Sequence, residues 1–113
     1  MHEMALCEGI IGIVEEEARK HSFSRVKVVF LEIGALSHAA PEAMTFCFEA
    51  VAARTIARGA RLEIVKTPAI AWCVACSTSI EIRHRYGPCP LCGSHRLQVT
   101  GGEEMRVKEL EVD

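Results

Sequence analysis

From the start of the chain, Leu6, Ile10, Ile13 and Val14 recur at helical spacing, and Cys7, Ile11 and Ala18 widen the stripe. Glu15, Glu16, Arg19 and Lys20 take the opposite side. This period predicts an amphipathic helix from about residue 4 to about residue 20. Val26–Ile33 is rich in β-branched residues, and its apolar positions fall on both faces: Val26, Val28 and Phe30 on one, Val29, Leu31 and Ile33 on the other. Such a strand belongs in the middle of a sheet or is covered on both sides. Gly34–Ala40 reads as a loop. Pro41 suits the first turn of a second helix, with Glu42 favourable beside its N-terminus. Met44, Cys47, Phe48 and Val51 form that helix's apolar stripe, and Gly59 is its expected stop.

Arg61–Lys66 alternates, with Leu62 and Ile64 inward, as a second strand does. Thr67-Pro68-Ala69 breaks the pattern, and a cysteine-rich stretch follows to about Thr100, where Gly101-Gly102 breaks the chain again. Met105 and Val107 then alternate with charged residues, and the phase slips before Leu110 and Val112. The last segment is expected to return to the first sheet as a third strand. The predicted class is α/β: a small three-stranded sheet with two helices, plus an inserted zinc-ribbon-like module. Residues 1–68 and 102–113 would form one discontinuous domain and residues 69–101 the module.

Composition narrows the classes of function. The chain has 113 residues, 50% hydrophobic, with few aromatics, so the core is aliphatic and small enough to gain from a metal staple. A net charge of −2 supplies no general pull toward nucleic acid or an anionic membrane. No apolar run is long enough to span a bilayer, and no signal peptide is evident, so the expected location is the cytoplasm. In that reducing setting six cysteines argue for metal or catalysis before disulfides.

Cys73, Cys76, Cys89 and Cys92 form C-x2-C, a twelve-residue spacer and C-x2-C. Each pair lets two sulfurs of one tight turn face a single ion, and the spacer is long enough for a hairpin that brings the turns together. Four thiolates close a tetrahedron that suits Zn(II). Ile80–Ile82 and Leu97–Val99 are the expected hairpin strands, and Gly93 can take positive φ behind the second pair. A closed four-thiolate site has no open position, so the expected role is structural. Two disulfides or a redox CxxC are the competing readings, disfavoured by the setting and by the doubled motif. Cys7 and Cys47 lie on the apolar helix stripes and read as inert core residues.

The chain opens Met1-His2-Glu3. A histidine at position two can chelate Ni(II) or Cu(II) through the terminal amine, its own amide nitrogen and its imidazole; a deprotonated Glu3 amide, or a side chain from elsewhere, can fill the fourth position of a square-planar set. The bulk of His2 disfavours removal of Met1. Against this stands the ordinary expectation of a frayed terminus.

The ordered set of pieces resembles the HypA/HybF family of nickel metallochaperones for hydrogenase maturation. The resemblance is carried by the Met1-His2-Glu3 opening, by Val29-Phe30-Leu31-Glu32-Ile33-Gly34-Ala35-Leu36-Ser37, by Pro41-Glu42 and Phe46-Cys47-Phe48-Glu49, by the paired CxxC motifs, and by Gly101-Gly102-Glu103-Glu104-Met105-Arg106-Val107. It runs from Met1 to the C-terminus. It implies a structural zinc on Cys73, Cys76, Cys89 and Cys92 and nickel as transferred cargo at Met1, His2 and Glu3. It also implies a HypB-type GTPase partner, the hydrogenase large subunit precursor as recipient and, in some organisms, urease maturation proteins. Some relatives carry a histidine two residues after each CxxC; here those positions hold Thr78 and Ser94, and the nearest histidine is His95. His21, His38, His84 and His95 read as solvated residues, with His38 and His95 the candidates for an additional nickel donor.

A zinc-ribbon module for nucleic-acid binding or protein interaction is the alternative, suggested by Arg83-His84-Arg85-Tyr86. Residues 69–100 hold three arginines against one glutamate, a modest excess that a wet hairpin also explains. An enzyme is not expected: there is no phosphate-binding glycine loop, no nucleophile motif and no open metal position.

Overall fold

The computed structural model describes residues 2–113. The elements run α1 (His2–His21), β1 (Val26–Gly34), α2 (Pro41–Ala52), β2 (Arg61–Thr67), β3 (Ala69–Cys73), β4 (Thr78–Ile82), β5 (Leu97–Gly101) and β6 (Met105–Val112). The strands form two three-stranded sheets, ordered β2-β1-β6 and β4-β3-β5. The α/β class, the two helices and the ribbon-like cysteine module are as the sequence predicts.

The chain divides into two compact units: residues up to Leu31 with Ala39–Val65 and Arg106–Asp113, and Glu32–His38 with Lys66–Met105. In the first, α1 packs on α2, and the Cys7 thiol donates to the Met44 carbonyl at 3.4 Å. The face that α1 buries is Cys7, Ile10, Ile11 and Val14; Ile13, expected inside, is 48% exposed. The buried stripe is therefore rotated toward Cys7, because a pattern of apolar residues on almost three sides of a helix does not specify its centre. β1 lies in the middle of its sheet, as its two-faced apolar pattern requires, and Val26, Val28, Val29, Leu31 and Ile33 are all buried. β6 joins β1 from the far end of the sequence, the expected return of the last segment.

α2 ends at Ala52, well before the Gly59 stop that the sequence suggests. The cause is Thr55. Its hydroxyl donates to the Ala52 carbonyl at 2.8 Å and accepts from the Ala57 amide at 3.1 Å, so a side chain replaces the next helical turn. Gly59 does adopt positive φ, +75°, later in the same turn region.

The second unit departs from the hairpin expected of its strands. Residues 80–82 and 97–99 do lie in strands, but they do not pair with each other. β3 runs between them, antiparallel to both. Ala69, Ala71 and Cys73 point into this unit's core with Ile80, Ile82 and Cys89, while Ile70 is half-buried and Trp72 faces outward. The inward face of β3 is made of small residues. It lacks the bulky alternation that marks a strand in sequence, and Pro68 just before it reads as a break.

Candidate metal centre

β3 delivers Cys73 at its end, and a tight turn carries the chain to Cys76. The Ser77 amide donates to the Cys73 carbonyl at 2.8 Å, and Ser77 takes positive φ, +53°. The second pair repeats the construction: the Gly93 amide donates to the Cys89 carbonyl at 2.8 Å, with Gly93 at φ +76°. Gly93 fits this conformation without strain, whereas Ser77 holds it with a Cβ in place. Two further bonds join the turns to the rest of the module. The Val74 amide donates to the Arg96 carbonyl at 3.0 Å and the Cys89 amide to the Ser94 carbonyl at 2.7 Å.

The four ligand sulfurs lie within 4.8 Å of one another. Cys73 Sγ is 3.7 Å from Cys92 Sγ, and Cys76 Sγ is 3.9 Å from Cys89 Sγ. A tetrahedron with metal–sulfur bonds of about 2.3 Å has edges of about 3.8 Å, so these separations fit a four-thiolate ion and are far too long for disulfides. All four cysteines are free thiols. Backbone amides point at the sulfurs: Cys76 N–H at Cys73 Sγ and Leu91 N–H at Cys89 Sγ, both at 3.4 Å. Amide donors of this kind favour thiolate, the form that binds metal.

The thiols are not equivalent without metal. Burial by itself would push Cys89 up, but the amides of Cys92 and Leu91, together with the Cys92 and Cys73 thiols, bring it down to about 7. Its bond to Cys92 pushes Cys76 up to about 12, with burial and its other thiol neighbours adding to the effect. Cys73 and Cys89 are buried, Cys76 is half-buried and Cys92 is exposed, so one edge of the site faces solvent. Cys7 and Cys47 stand elsewhere, both buried in the helical unit. Burial, then the nearby Cys47 and Glu3, raises Cys7 to about 11.

The remaining sequence candidates are more scattered. Met1 lies outside the described residues. His2 is exposed at the first position of α1 and Glu3 is half-buried. The first amides of a helix have no acceptor within it, so ligation by the backbone here would break no helical bond. His21, His38, His84 and His95 are all exposed. In the basic stretch of the module, Arg85 is ion-paired with Glu103, which offsets one of its charges. Cys73, Cys76, Cys89 and Cys92 are the only metal-ligand cluster of three or more such residues among the described residues. No described helix is long and apolar enough to cross a membrane.

Comparison with known proteins agrees with this architecture. Two solution structures superpose over nearly the whole chain. One is the nickel metallochaperone HypA from Helicobacter pylori, with TM-score 0.70, 27% identity, and 97% and 96% of the two chains covered. The other is a HypA protein, with TM-score 0.74, 29% identity and coverages of 99% and 96%. Hydrogenase maturation factor HypA 2 of Bradyrhizobium diazoefficiens is 78% identical over 113 residues, all of both chains. Hydrogenase maturation factor HypA of a Bradyrhizobium species is 71% identical over the same length. The family model described as hydrogenase/urease nickel incorporation, metallochaperone, HypA matches residues 1–112. From its first helix to its last strand, the chain belongs to the HypA/HybF family.

Proposed function

We propose that this protein is a nickel metallochaperone that binds Ni(II) at its N-terminus and delivers it for maturation of [NiFe]-hydrogenase. The observation that carries the reading is the family match over residues 1–112, which includes the Met1-His2-Glu3 opening. The exposed His2 at the first turn of α1 supports it, because the imidazole and the unpaired amides of that turn stand on one short stretch of backbone. The ligands are the Met1 amine, the His2 amide and imidazole, and the Glu3 amide. An exposed terminal chelate exchanges ligands quickly, as release to a recipient demands. Each donor must lose or lack a proton to coordinate, so nickel affinity falls on acidification.

Cys73, Cys76, Cys89 and Cys92 hold a structural Zn(II). The nickel-binding domain is residues 1–68 with 102–113, and residues 69–101 are the zinc module. The chain is not an enzyme, and energy for delivery enters through a HypB-type GTPase partner in the cytoplasm. The hydrogenase large subunit precursor receives the metal, and urease maturation proteins are recipients where urease is present.

Calorimetric titration of nickel into zinc-loaded protein tests the reading. Native protein is expected to bind about one nickel. His2→Ala, or two extra residues before Met1, is expected to abolish binding without loss of helical signal. Equal binding by the native and extended forms would move the site to His38 or His95. No binding by either would remove nickel carriage from the isolated chain.

A further inference from the structure

Arg25, Arg54 and Arg58 come together on the helical unit around an open cleft of about 560 Å³, lined also by Glu15, Thr55 and Ile56. Arg25 lies about thirty residues before Arg54 and Arg58 in sequence, and a backbone bond from the Val26 amide to the Ile56 carbonyl at 3.1 Å joins the two stretches. This bond ties the chain entering β1 to the turn that follows α2. The turn is fixed from inside by Ala57, which is fully buried, and by the two hydrogen bonds of the Thr55 hydroxyl. The Arg58 amide adds a bond to the Thr55 carbonyl at 3.1 Å. The three cations therefore project from anchored backbone, so less ordering is needed when they are engaged.

All three arginines are exposed, and none of their guanidinium groups has an ion-pair or hydrogen-bond partner among the described residues. Arg19, Arg61 and Arg85, by contrast, each meet a glutamate. Nearby negative charge is limited. Glu15 lines one side, and the Asp113 carboxylate, on the residue whose amide bonds the Arg25 carbonyl, is taken by Lys27 at 3.8 Å. On a chain of net charge −2, this is a local cationic face with no internal use.

The geometry points to a docking surface for an acidic segment of a protein partner, with Asp or Glu carboxylates taken by Arg25, Arg54 and Arg58. A guanidinium presents a planar pair of donors that matches a carboxylate. The cleft is open, and the Thr55 hydroxyl is already used in both directions, so there is no enclosed cradle of amides and hydroxyls for a small phosphate. Glu15 opposes a compact dianion at the centre but leaves singly charged carboxylates free to spread along the arginines. Such a surface acts chiefly on the rate of encounter and on choice of partner, and its effect weakens with salt. It requires neither metal and stands apart from nickel binding.

The test uses the zinc-loaded full chain and a fluorescein-labelled twelve-residue peptide carrying six glutamates, with its glutamine counterpart, inorganic phosphate and a twelve-nucleotide single-stranded DNA as comparisons. Three variants are compared: wild type, R25Q/R54Q/R58Q, and K66Q/R83Q/K108Q, which loses the same charge elsewhere. Expected are binding of the glutamate peptide that weakens as salt rises, a loss of about tenfold or more in the arginine triple variant, and at most about a twofold change in the control. The glutamine peptide should not bind, and circular dichroism and nickel stoichiometry should match wild type in all three proteins. The proposal is overturned if the control loses as much affinity as the arginine variant, or if the glutamate peptide does not bind. Tighter arginine-dependent binding of phosphate or DNA would overturn it too. If the arginine triple variant proves unfolded, R54Q/R58Q, which changes only two exposed side chains, replaces it under the same criteria.

Discussion

Gly34 and Gly102 meet backbone against backbone: the Leu36 amide donates to the Gly102 carbonyl at 2.7 Å, and a Cβ on Gly34 would lie inside that carbonyl group. Gly102 itself sits at φ +97°, with a Cβ there placed 2.8 Å from the Pro68 carbonyl oxygen. The Gly34 amide donates to Glu104 and the Ala35 amide to Thr67, so three stretches of chain converge on this point. Backbone cannot move aside as a flexible side chain does. Gly34→Ala and Gly102→Ala are each expected to cost about 2–4 kcal/mol in urea unfolding. Gly9→Ala, on the exposed face of α1 with open space around it, should instead stabilise by about 0.5–1 kcal/mol.

Metal removal should act mainly on the cysteine module. Its buried core is six residues, two of them alanine, and two belong to the four-cysteine cluster itself, Cys73 and Cys89. A structural zinc supplies on the order of 10 kcal/mol, far more than such a core. Chelation, or Cys73→Ala, is expected to disorder residues 70–100. Trp72 lies on β3 opposite Ser79 and Gln98, and it is the chain's one tryptophan. Its fluorescence should shift toward the solvent-exposed value on chelation and recover on adding zinc. Unchanged emission after zinc loss would show that the module holds itself together.

Part of the pH dependence of zinc affinity should come from Cys89. Cys89, at about 7, is mostly thiolate above neutrality and takes up a proton below it; Cys76, at about 12, holds its proton throughout the neutral range. Zinc must displace every proton present, so affinity falls as pH falls. Passing from pH 8 to pH 6, Cys89 adds nearly one further proton to be displaced per zinc. The slope of log affinity against pH should therefore steepen by about one across that interval. Competition titrations with a chromophoric chelator measure it. A slope constant from pH 6 to pH 8 would contradict the assignment of Cys89.

Cys7 and Cys47 should be silent to thiol reagents. Both are buried, and Cys7 is raised from 9.0 to about 11, chiefly by burial. The thiolate is the reactive form, so alkylation by iodoacetamide at pH 8 should spare both residues in the native protein and modify them after denaturation. The same shift has a consequence for stability. A folded-state value above the unfolded one favours the neutral thiol on folding, so its contribution is complete below pH 9 and is lost as pH rises toward 11. Cys7→Ala should remove that part of the alkaline destabilisation. Mass-mapped labelling of Cys7 at pH 8 in folded protein would contradict the buried placement.

What was legible in the sequence is what arises over short spans. The cysteine pairs are readable because two ligands of one turn are neighbours in sequence, and their sulfurs do lie at tetrahedral separations. β1 is readable as a central strand because both of its faces are apolar, and a strand covered on two sides has no polar face to show. Gly93 is readable because only a residue tolerant of positive φ suits the end of the second turn; Ser77 in the equivalent place carries no such signal.

Tertiary structure decided the rest, through contacts between residues distant in sequence. β3 takes its central place from pairing with strands on both sides, and its small inward residues become informative only once Ile80 and Ile82 cover them. The burial of Ile10 and Cys7 in preference to Ile13 depends on where α2 lies, because a helix with a wide apolar stripe can bury several faces equally well. The cationic cleft joins Arg25 to Arg54 and Arg58 from a distant part of the chain, where the Val26 amide bonds the Ile56 carbonyl. By itself the sequence determined the four-cysteine cluster, the central strand and the family, since each is written in local spacing or in the order of motifs. Which faces turn inward, which strand sits in the middle of the module and which charges stand together were decided by folding, because they depend on what the rest of the chain presents to them.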